Sequence, residues 1–170
     1  PLWFARGGPG RGGVGGWGGP PGPPAAWFRG GRAGGTANAY ARAHNGGSPI
    51  LWLPDPNGSM FGDTEGVDGP RGRAERYLVD DVTRFAVDTL GASSDRDHWA
   101  VVGLSAGGTC AVTLALRNPD RYVAFADFGG DAGPNLGGRG HTTSKLYGGD
   151  RREWLAHDPC TLLAAGDYRG

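Results

Sequence analysis

The stretch VVGLSAGGTC, residues 101–110, places one serine between two glycines at the spacing Gly103-x-Ser105-x-Gly107. A serine at this spacing can act as a nucleophile that attacks an ester carbonyl and forms an acyl-enzyme. The motif alone is weak, because a chain with 35 glycines is expected to contain about 0.25 matches by chance. Its meaning therefore depends on the elements on either side of Ser105.

A nucleophilic serine in this motif needs a strand that turns sharply and continues directly as a helix. The apolar run WAVVGL at 99–104 predicts a buried strand, and AGGTCAVTLALRNP at 106–119 predicts a helix that ends before its proline. Gly103 and Gly107 remove side chains that would collide where the strand and the helix approach each other. The backbone N–H of Ala106, at the start of the helix, is expected to supply half of an oxyanion hole. A serine in a glycine turn without any chemistry is the alternative.

Strand and helix signals alternate over most of the chain. Besides the pair around Ser105, the sequence predicts helices over 36–44, 74–91 and 150–157 and strands over 50–53 and 122–127. This alternation predicts an α/β fold with a mostly parallel sheet and helices on both faces. Residues 1–35 are rich in glycine and proline and lack helical or strand periodicity. We therefore expect an irregular segment over 1–35 followed by an α/β domain over 36–170.

The composition argues against several classes of partner. The 17 basic residues balance the 17 acidic ones, so no overall field attracts nucleic acid or an anionic membrane. No run of 18 apolar residues occurs, and we expect no membrane span in this chain. The segments ARGGPGRGG and FRGGR are similar to RNA-binding RGG tails, but the charge balance and the α/β pattern disfavour a nucleic-acid partner. The spacing Gly8-x-Gly10-x-x-Gly13 precedes no predicted helix, so no dinucleotide site is expected.

Residues 99–135, WAVVGLSAGGTCAVTLALRNPDRYVAFADFGGDAGPN, resemble the esterase branch of the α/β-hydrolase family, which includes esterase D, S-formylglutathione hydrolases, feruloyl esterases and secreted mycolyltransferases. Residues 50–78 resemble the same group's strand, long loop and following helix. The resemblance implies an α/β-hydrolase-type sheet and a serine carboxylesterase or acyltransferase with Ser105 as its nucleophile. It implies Ala106 as an oxyanion donor, a small ester or acyl substrate, and neither cofactor nor metal. A secreted, cell-envelope or cytoplasmic location is compatible with it, and the oligomeric state stays open.

Two departures from the family pattern affect these expectations. Members of the family carry a His-Gly pair after an early strand, which supplies the second oxyanion N–H, and the nearest counterpart here is Arg6-Gly7. Gly7 is therefore the candidate for the second donor. The family's acid and histidine lie far beyond the serine, whereas this chain has 65 residues after Ser105. We expect a domain incomplete at its C-terminus, with the acid and the histidine outside the chain; a non-catalytic relative is the alternative.

The histidines and acidic residues within the chain give further candidates. Two histidines follow Ser105: His141 lies in a glycine-rich stretch, and His157 directly precedes Asp158-Pro159. Each is a candidate base if the fold brings it to the serine. Asp127 ends a predicted strand and is expected to be structural. The acidic loop after the 50–53 strand, which contains Glu65, is expected to be solvated rather than to line a substrate.

The two cysteines, Cys110 and Cys160, show no metal or redox spacing. They form one disulfide or remain two free thiols, and the sequence leaves both open. No metal site is expected, because the acidic loop residues do not cluster with a histidine.

Overall fold

The structure is a computed structural model that describes residues 3–5, 12–18, 30–58, 62–166 and 168. Five strands form one sheet in the order β1-β3-β2-β6-β7, and β4 and β5 form a separate hairpin. The strand β1 runs antiparallel to β3, and the other strands of the large sheet are parallel. The strands are β1 (Trp3–Ala5), β2 (Gly13–Gly18), β3 (Ile50–Leu53), β4 (Asp68–Gly69), β5 (Gly72–Arg73), β6 (Trp99–Leu104) and β7 (Ala124–Phe128).

The helices connect parallel strands as crossovers. The connection from β2 to β3 runs one way along the sheet, whereas those from β3 to β6 and from β6 to β7 run the other way. Because such crossovers are right-handed, α1 lies on the face opposite α3 and α4, which confirms the predicted fold class. The helices are α1 (Ala33–Ala43), α2 (Ala74–Arg76), a π turn (Tyr77–Asp81), α3 (Val82–Leu90), a 3-10 turn (Arg96–His98), α4 (Ala106–Arg117), α5 (Arg139–Tyr147), α6 (Arg151–Ala156) and α7 (Pro159–Ala165).

The main core lies between the sheet and the helices that follow β3 and β6. Trp52 of β3 and Trp99 of β6 contact each other with their ring centroids 4.7 Å apart. Aliphatic side chains from the helices pack against this pair and bury one face of β6, the strand that leads to Ser105. The principal members besides the two tryptophans are Ile50, Leu78, Val82, Ala86, Val101, Ala111 and Leu114.

The strand β2 overturns the expectation that residues 1–35 contain no regular element. It pairs in parallel with β3 on one side and with β6 on the other, so it lies inside the sheet. A Cβ on Gly13 would overlap the ring of Trp52, which explains why glycine occupies this strand position. Four of the six residues of β2 are glycines, so its sequence carries little hydrophobic periodicity. The expectation of an irregular segment is wrong for β1 and β2.

The close packing at Gly13 gives a stability prediction. Gly13→Ala should lower the free energy of unfolding by about 1–3 kcal/mol, because the new methyl group must displace Trp52 from the core. Gly35→Ala is the matched control, since a Cβ there meets nothing within 4 Å and alanine favours a helix. Urea unfolding of both variants measures the difference, and equal midpoints for the two would contradict the packing described for β2.

Candidate active site

Ser105 occupies the sharp turn between β6 and α4 at the carboxyl edge of the parallel strands. Its backbone has φ 57° and ψ −130°, which confirms the left-handed φ expected of a nucleophile turn. Its N–H donates to the Phe128 carbonyl at 2.9 Å, and its own carbonyl accepts from the N–H of Gly108 at 2.7 Å and of Thr109 at 3.2 Å. These bonds hold the turn while the Ser105 residue stays exposed.

Two glycines allow the strand and the helix to approach each other at this turn. A Cβ on Gly103 would overlap the backbone carbonyl of Gly107, as the motif predicted. A Cβ on Gly108 would overlap Oδ1 of Asp127, a contact that the five-residue motif does not include. The same Asp127 oxygen accepts a hydrogen bond from the Gly130 N–H at 2.8 Å, which fits the structural role expected for this aspartate. The close approach fixes the first turn of α4 beside Ser105.

The first residues of α4 supply backbone donors next to the serine. Within the part of the chain that the structure describes, the N–H groups of Ala106 and Gly107 have no acceptor. Gly7 lies outside the described residues, so its role as a second donor stays a prediction. Ala5, two residues earlier, pairs with Leu51 at the amino end of β3. Residue Ala5 of β1 therefore lies at the end of the sheet where the parallel strands begin, whereas Ser105 lies at the end where they finish.

Two large apolar side chains flank the turn. Leu104 precedes Ser105 and is 53% exposed, and Phe128 lies opposite it in the β6–β7 register and is 56% exposed. Together they expose apolar surface on both sides of the Ser105 turn.

The structure places His157, one of the two candidate bases, in a buried ion-pair cluster away from Ser105. Its Nε2 donates to Glu75 Oε2 at 3.1 Å and its Nδ1 donates to the Glu153 carbonyl at 2.7 Å. Arg117 Nε donates to the other oxygen of Glu75 at 2.7 Å. Both ring nitrogens of His157 are therefore engaged by these two partners, and neither is free for a third. This arrangement does not fit a base for Ser105.

The other histidines also have positions away from the serine. His141 is exposed on α5, and no contact joins it to Ser105 among the described residues. His44 Nδ1 bonds the Tyr40 carbonyl at 2.8 Å. His98 precedes β6, so it lies at the amino ends of the strands. The sequence contains 4 histidines, and the structure pairs none of them with the nucleophile.

The loop after β3 approaches α4 close to the turn. Glu65 is only 5% exposed, so the expectation of a solvated acidic loop is wrong at this residue. Burial raises its pKa, and the charges of Asp63 and Asp131 raise it further, to about 8. Burial also raises the pKa of Asp63. The sequence placed Glu65 in a loop but contained no signal that the loop packs against a helix.

A cavity of about 380 Å³ lies beyond the end of β7. The N–H of Asp131, on its wall, donates to Thr109 Oγ1 at 2.9 Å, which ties this cavity to α4. The Arg139 guanidinium lies 4.5 Å above the ring of Trp154 on another wall. The combination offers an aromatic face together with charged and amide groups. Other lining residues are Gly133, Asn135, Thr142 and Asp158.

Cys110 is buried and Cys160 exposed, and both are free thiols. Among the described residues, no three His, Cys, Asp or Glu side chains come together as a metal site requires. No helix in the described ranges is both long and apolar enough to cross a membrane.

A mostly parallel sheet with a serine held at positive φ between a strand and a helix defines the α/β-hydrolase class. The family model "Putative esterase" matches residues 26–168, and the chain belongs to this family. The resemblance described from residues 99–135 is thereby confirmed.

Similar proteins share the fold over most of the chain. An uncharacterized protein of Corynebacterium glutamicum is 37% identical over 137 residues, which are 81% of this chain and 32% of that protein. The structure of an S-formylglutathione hydrolase from Agrobacterium tumefaciens matches with TM-score 0.74 and 20% identity over 93% of this chain and 61% of that one. Fluorophosphonate-binding serine hydrolase F of Staphylococcus aureus matches with TM-score 0.70 and 16% identity, over 92% and 58%. The chain thus spans about a third of the curated relative and about three fifths of the solved structures.

Proposed function

We propose that Ser105 is the nucleophile of a serine carboxylesterase or acyltransferase that acts through an acyl-enzyme. The observation that carries the proposal is the position of Ser105, exposed at φ 57° after β6 with the unpaired N–H of Ala106 directly following it. Strain of this kind costs free energy and is retained where a site needs the exposed hydroxyl.

The reaction proceeds in two acyl-transfer steps. The Ser105 Oγ bonds to the ester carbonyl carbon while its proton passes to a general base, and the carbonyl oxygen becomes an oxyanion near the Ala106 N–H. Collapse of this intermediate breaks the bond to the alcohol oxygen, which leaves with the proton from the base. Water or a second alcohol then attacks the acyl-enzyme and gives up its proton to the base. Collapse of the second intermediate breaks the bond to Ser105 Oγ, which takes the proton back from the base as the acid or a new ester is released.

The surroundings of Ser105 support a small ester as the substrate. Leu104 and Phe128 offer apolar surface for the acyl chain. The cavity with Trp154 and Arg139 offers polar and aromatic groups for the alcohol part. The esterase family to which the chain belongs is compatible with the same class of substrate.

The general base and its orienting acid come from residues after Gly170 in a longer gene product. This part of the proposal rests on the histidines, since His157 is doubly engaged by Glu75 and Glu153 and no contact joins His141 to Ser105 in the described residues. The same observation favours a second candidate, a relative that keeps the fold and has lost catalysis. The two differ in whether Ser105 reacts.

Covalent labelling decides between them. In the full-length gene product, a fluorophosphonate probe should add its mass to the tryptic peptide that contains Ser105, because the phosphonate bonds to an activated serine oxygen. Ser105→Ala should remove the label, and Ser94→Ala, at an exposed loop serine, should leave it unchanged. If the folded wild type stays unlabelled at the same probe concentration, the protein is the non-catalytic relative instead.

A further inference from the structure

Glu65 is a buried carboxyl group with an oxygen that no protein group satisfies. Its Oε2 has no hydrogen-bond partner among the described residues. Its backbone has φ 49°, a left-handed conformation that is strained for any residue with a side chain. A buried unpaired polar atom and a strained backbone at one residue each cost stability. Strain of this kind clusters at functional sites, and the site beside Glu65 is the Ser105 turn.

The loop holds Glu65 in this inward position through side-chain acceptors. The Glu65 N–H donates to Asp63 Oδ1 at 3.2 Å. The N–H and the Oγ1 of Thr64 both donate to Asn57 Oδ1 at 3.0 Å. The N–H of Asn57 in turn donates to Asp55 Oδ1 at 3.1 Å. These bonds hold the backbone of Thr64 and Glu65 in place among the described residues of the loop.

The buried side of the loop contacts the first turn of the nucleophile helix. Glu65 lines a cavity of about 10 Å³ together with Ala106, Gly107 and Cys110. A Cβ on Gly66 would overlap the Cys110 sulfur, so the loop and α4 are in direct contact. Ala106 and Gly107 carry the unpaired N–H groups beside Ser105. Glu65 thus lies beside the backbone that positions the proposed oxyanion donor.

The groups around Glu65 keep its carboxyl neutral near pH 7. Asp63 of the same loop and Asp131 of the loop after β7 both place negative charge near it. Cys110 of α4 and Tyr147 of α5 face it as well, and burial is the main cause of the raised pKa of each. Among the described residues, no cation forms an ion pair with Glu65. The pKa of about 8 is the result of this environment.

We propose that Glu65 is a positioning residue for the Ser105 turn, which in its neutral form packs against Ala106 and Gly107 and on ionisation opposes the oxyanion. The proposal rests on the proposed function of Ser105, because an oxyanion forms there only if the serine reacts. A neutral carboxyl leaves the developing negative charge to the Ala106 N–H. An ionised carboxyl behind the same turn repels that charge and favours a shift of the first turn of α4.

The first test needs no catalytic activity. Carbon-detected NMR of residues 1–170 between pH 5.5 and pH 9.5 follows the Glu65 Cδ and the carbonyl carbons of Ala106 and Gly107, which do not depend on exchangeable protons. All three should titrate together with a midpoint near 8. Glu65→Gln, which keeps the shape of the neutral acid, should abolish the titration of Ala106 and Gly107. Asp88→Asn, at an exposed carboxylate of α3, should leave the midpoint unchanged.

A second variant keeps the test decisive if Glu65→Gln does not fold. Asp131→Asn removes one of the charges that raise the pKa of Glu65, so the midpoint at Ala106 and Gly107 should move to lower pH. The absence of titration at both carbons in the wild type would overturn the proposal. Titration of Ala106 and Gly107 that persists in Glu65→Gln would also overturn it, and so would an unchanged midpoint in Asp131→Asn.

The second readout is the labelling rate of Ser105 in the full-length gene product. With a midpoint of about 8, the rate of the wild type relative to Glu65→Gln should fall about tenfold from pH 7 to pH 9. A constant ratio would overturn the role of Glu65 even where Ser105 labels. Titration of the carbons in a protein whose Ser105 does not label would instead overturn the proposed function and leave the coupling between Glu65 and the turn in place.

Discussion

Residues 1–170 alone should hydrolyse a short-chain nitrophenyl ester at least about 10⁴-fold more slowly than the full-length gene product. Serine at its ordinary pKa is a weak nucleophile, and an adjacent base oriented by an acid is what activates it. In the structure, His157 has both ring nitrogens engaged by acceptors and His141 is exposed on α5. What remains for catalysis is the contribution of the Ala106 N–H and of substrate binding.

The comparison uses both chains at equal concentration, with circular dichroism to show that each is folded. His141→Ala and His157→Ala in residues 1–170 serve as controls, and circular dichroism must show that each is folded, because His157 is buried against Glu75. Neither folded variant should change the residual rate. Turnover by residues 1–170 equal to that of the full-length product would mean that the base lies within the chain. Loss of that turnover in one of the two histidine variants would then identify it.

The nucleophile turn is the part of the fold that the sequence predicted best, because its signals are local. The strand β6 and the helix α4 have the predicted limits, and the positive φ of Ser105 follows from their direct connection. The 50–53 strand and the long helix before Gly91 were also located correctly. Each of these elements buries its own apolar residues, so the hydrophobic pattern of its sequence predicts whether it is a strand or a helix.

The errors concern residues whose role depends on distant partners. Gly13 belongs to a central strand because Trp52, far along the chain, fills the space above it. Phe85 lies three residues after the buried Val82 and is nevertheless exposed, whereas Ala86 is buried, in a helix that the π turn Tyr77–Asp81 precedes. Glu65 is buried only because its loop meets Cys110. No local pattern contains such contacts.

The same reasoning explains why His157 could be named as a candidate base and yet occupies a different kind of site. Its carboxylate partner Glu75 is 82 positions away in the sequence. Spacing rules for a triad give the order of residues, but they do not show which acid a histidine meets. In this chain the contact between His157 and Glu75 is part of an ion-pair cluster that joins α2, α4 and the end of α6.

Glu75→Gln should lower the free energy of unfolding by about 3 kcal/mol at pH 7, because it leaves the partners of a buried carboxylate without their counter-charge. Glu75 binds Arg117 with one oxygen and His157 with the other, and the His157 residue is 2% exposed. Glu153→Gln is the matched control, since Glu153 is exposed and should change stability by less than about 0.5 kcal/mol. Urea unfolding at pH 7 measures both variants.

The pH dependence of this loss separates the charge of Glu75 from its packing. Burial by itself raises the pKa of Glu75, but hydrogen bonds from His157 and Arg117, together with their charges, outweigh burial and lower it to about 2. A carboxyl whose pKa is lower in the folded state stabilises the fold above its unfolded pKa, about 4.5, and loses that contribution as the pH falls towards 2. The difference between wild type and Glu75→Gln should therefore shrink as the pH falls below about 5. A difference that stays the same down to pH 3 would show that the amide disturbs packing and that the carboxylate charge contributes little.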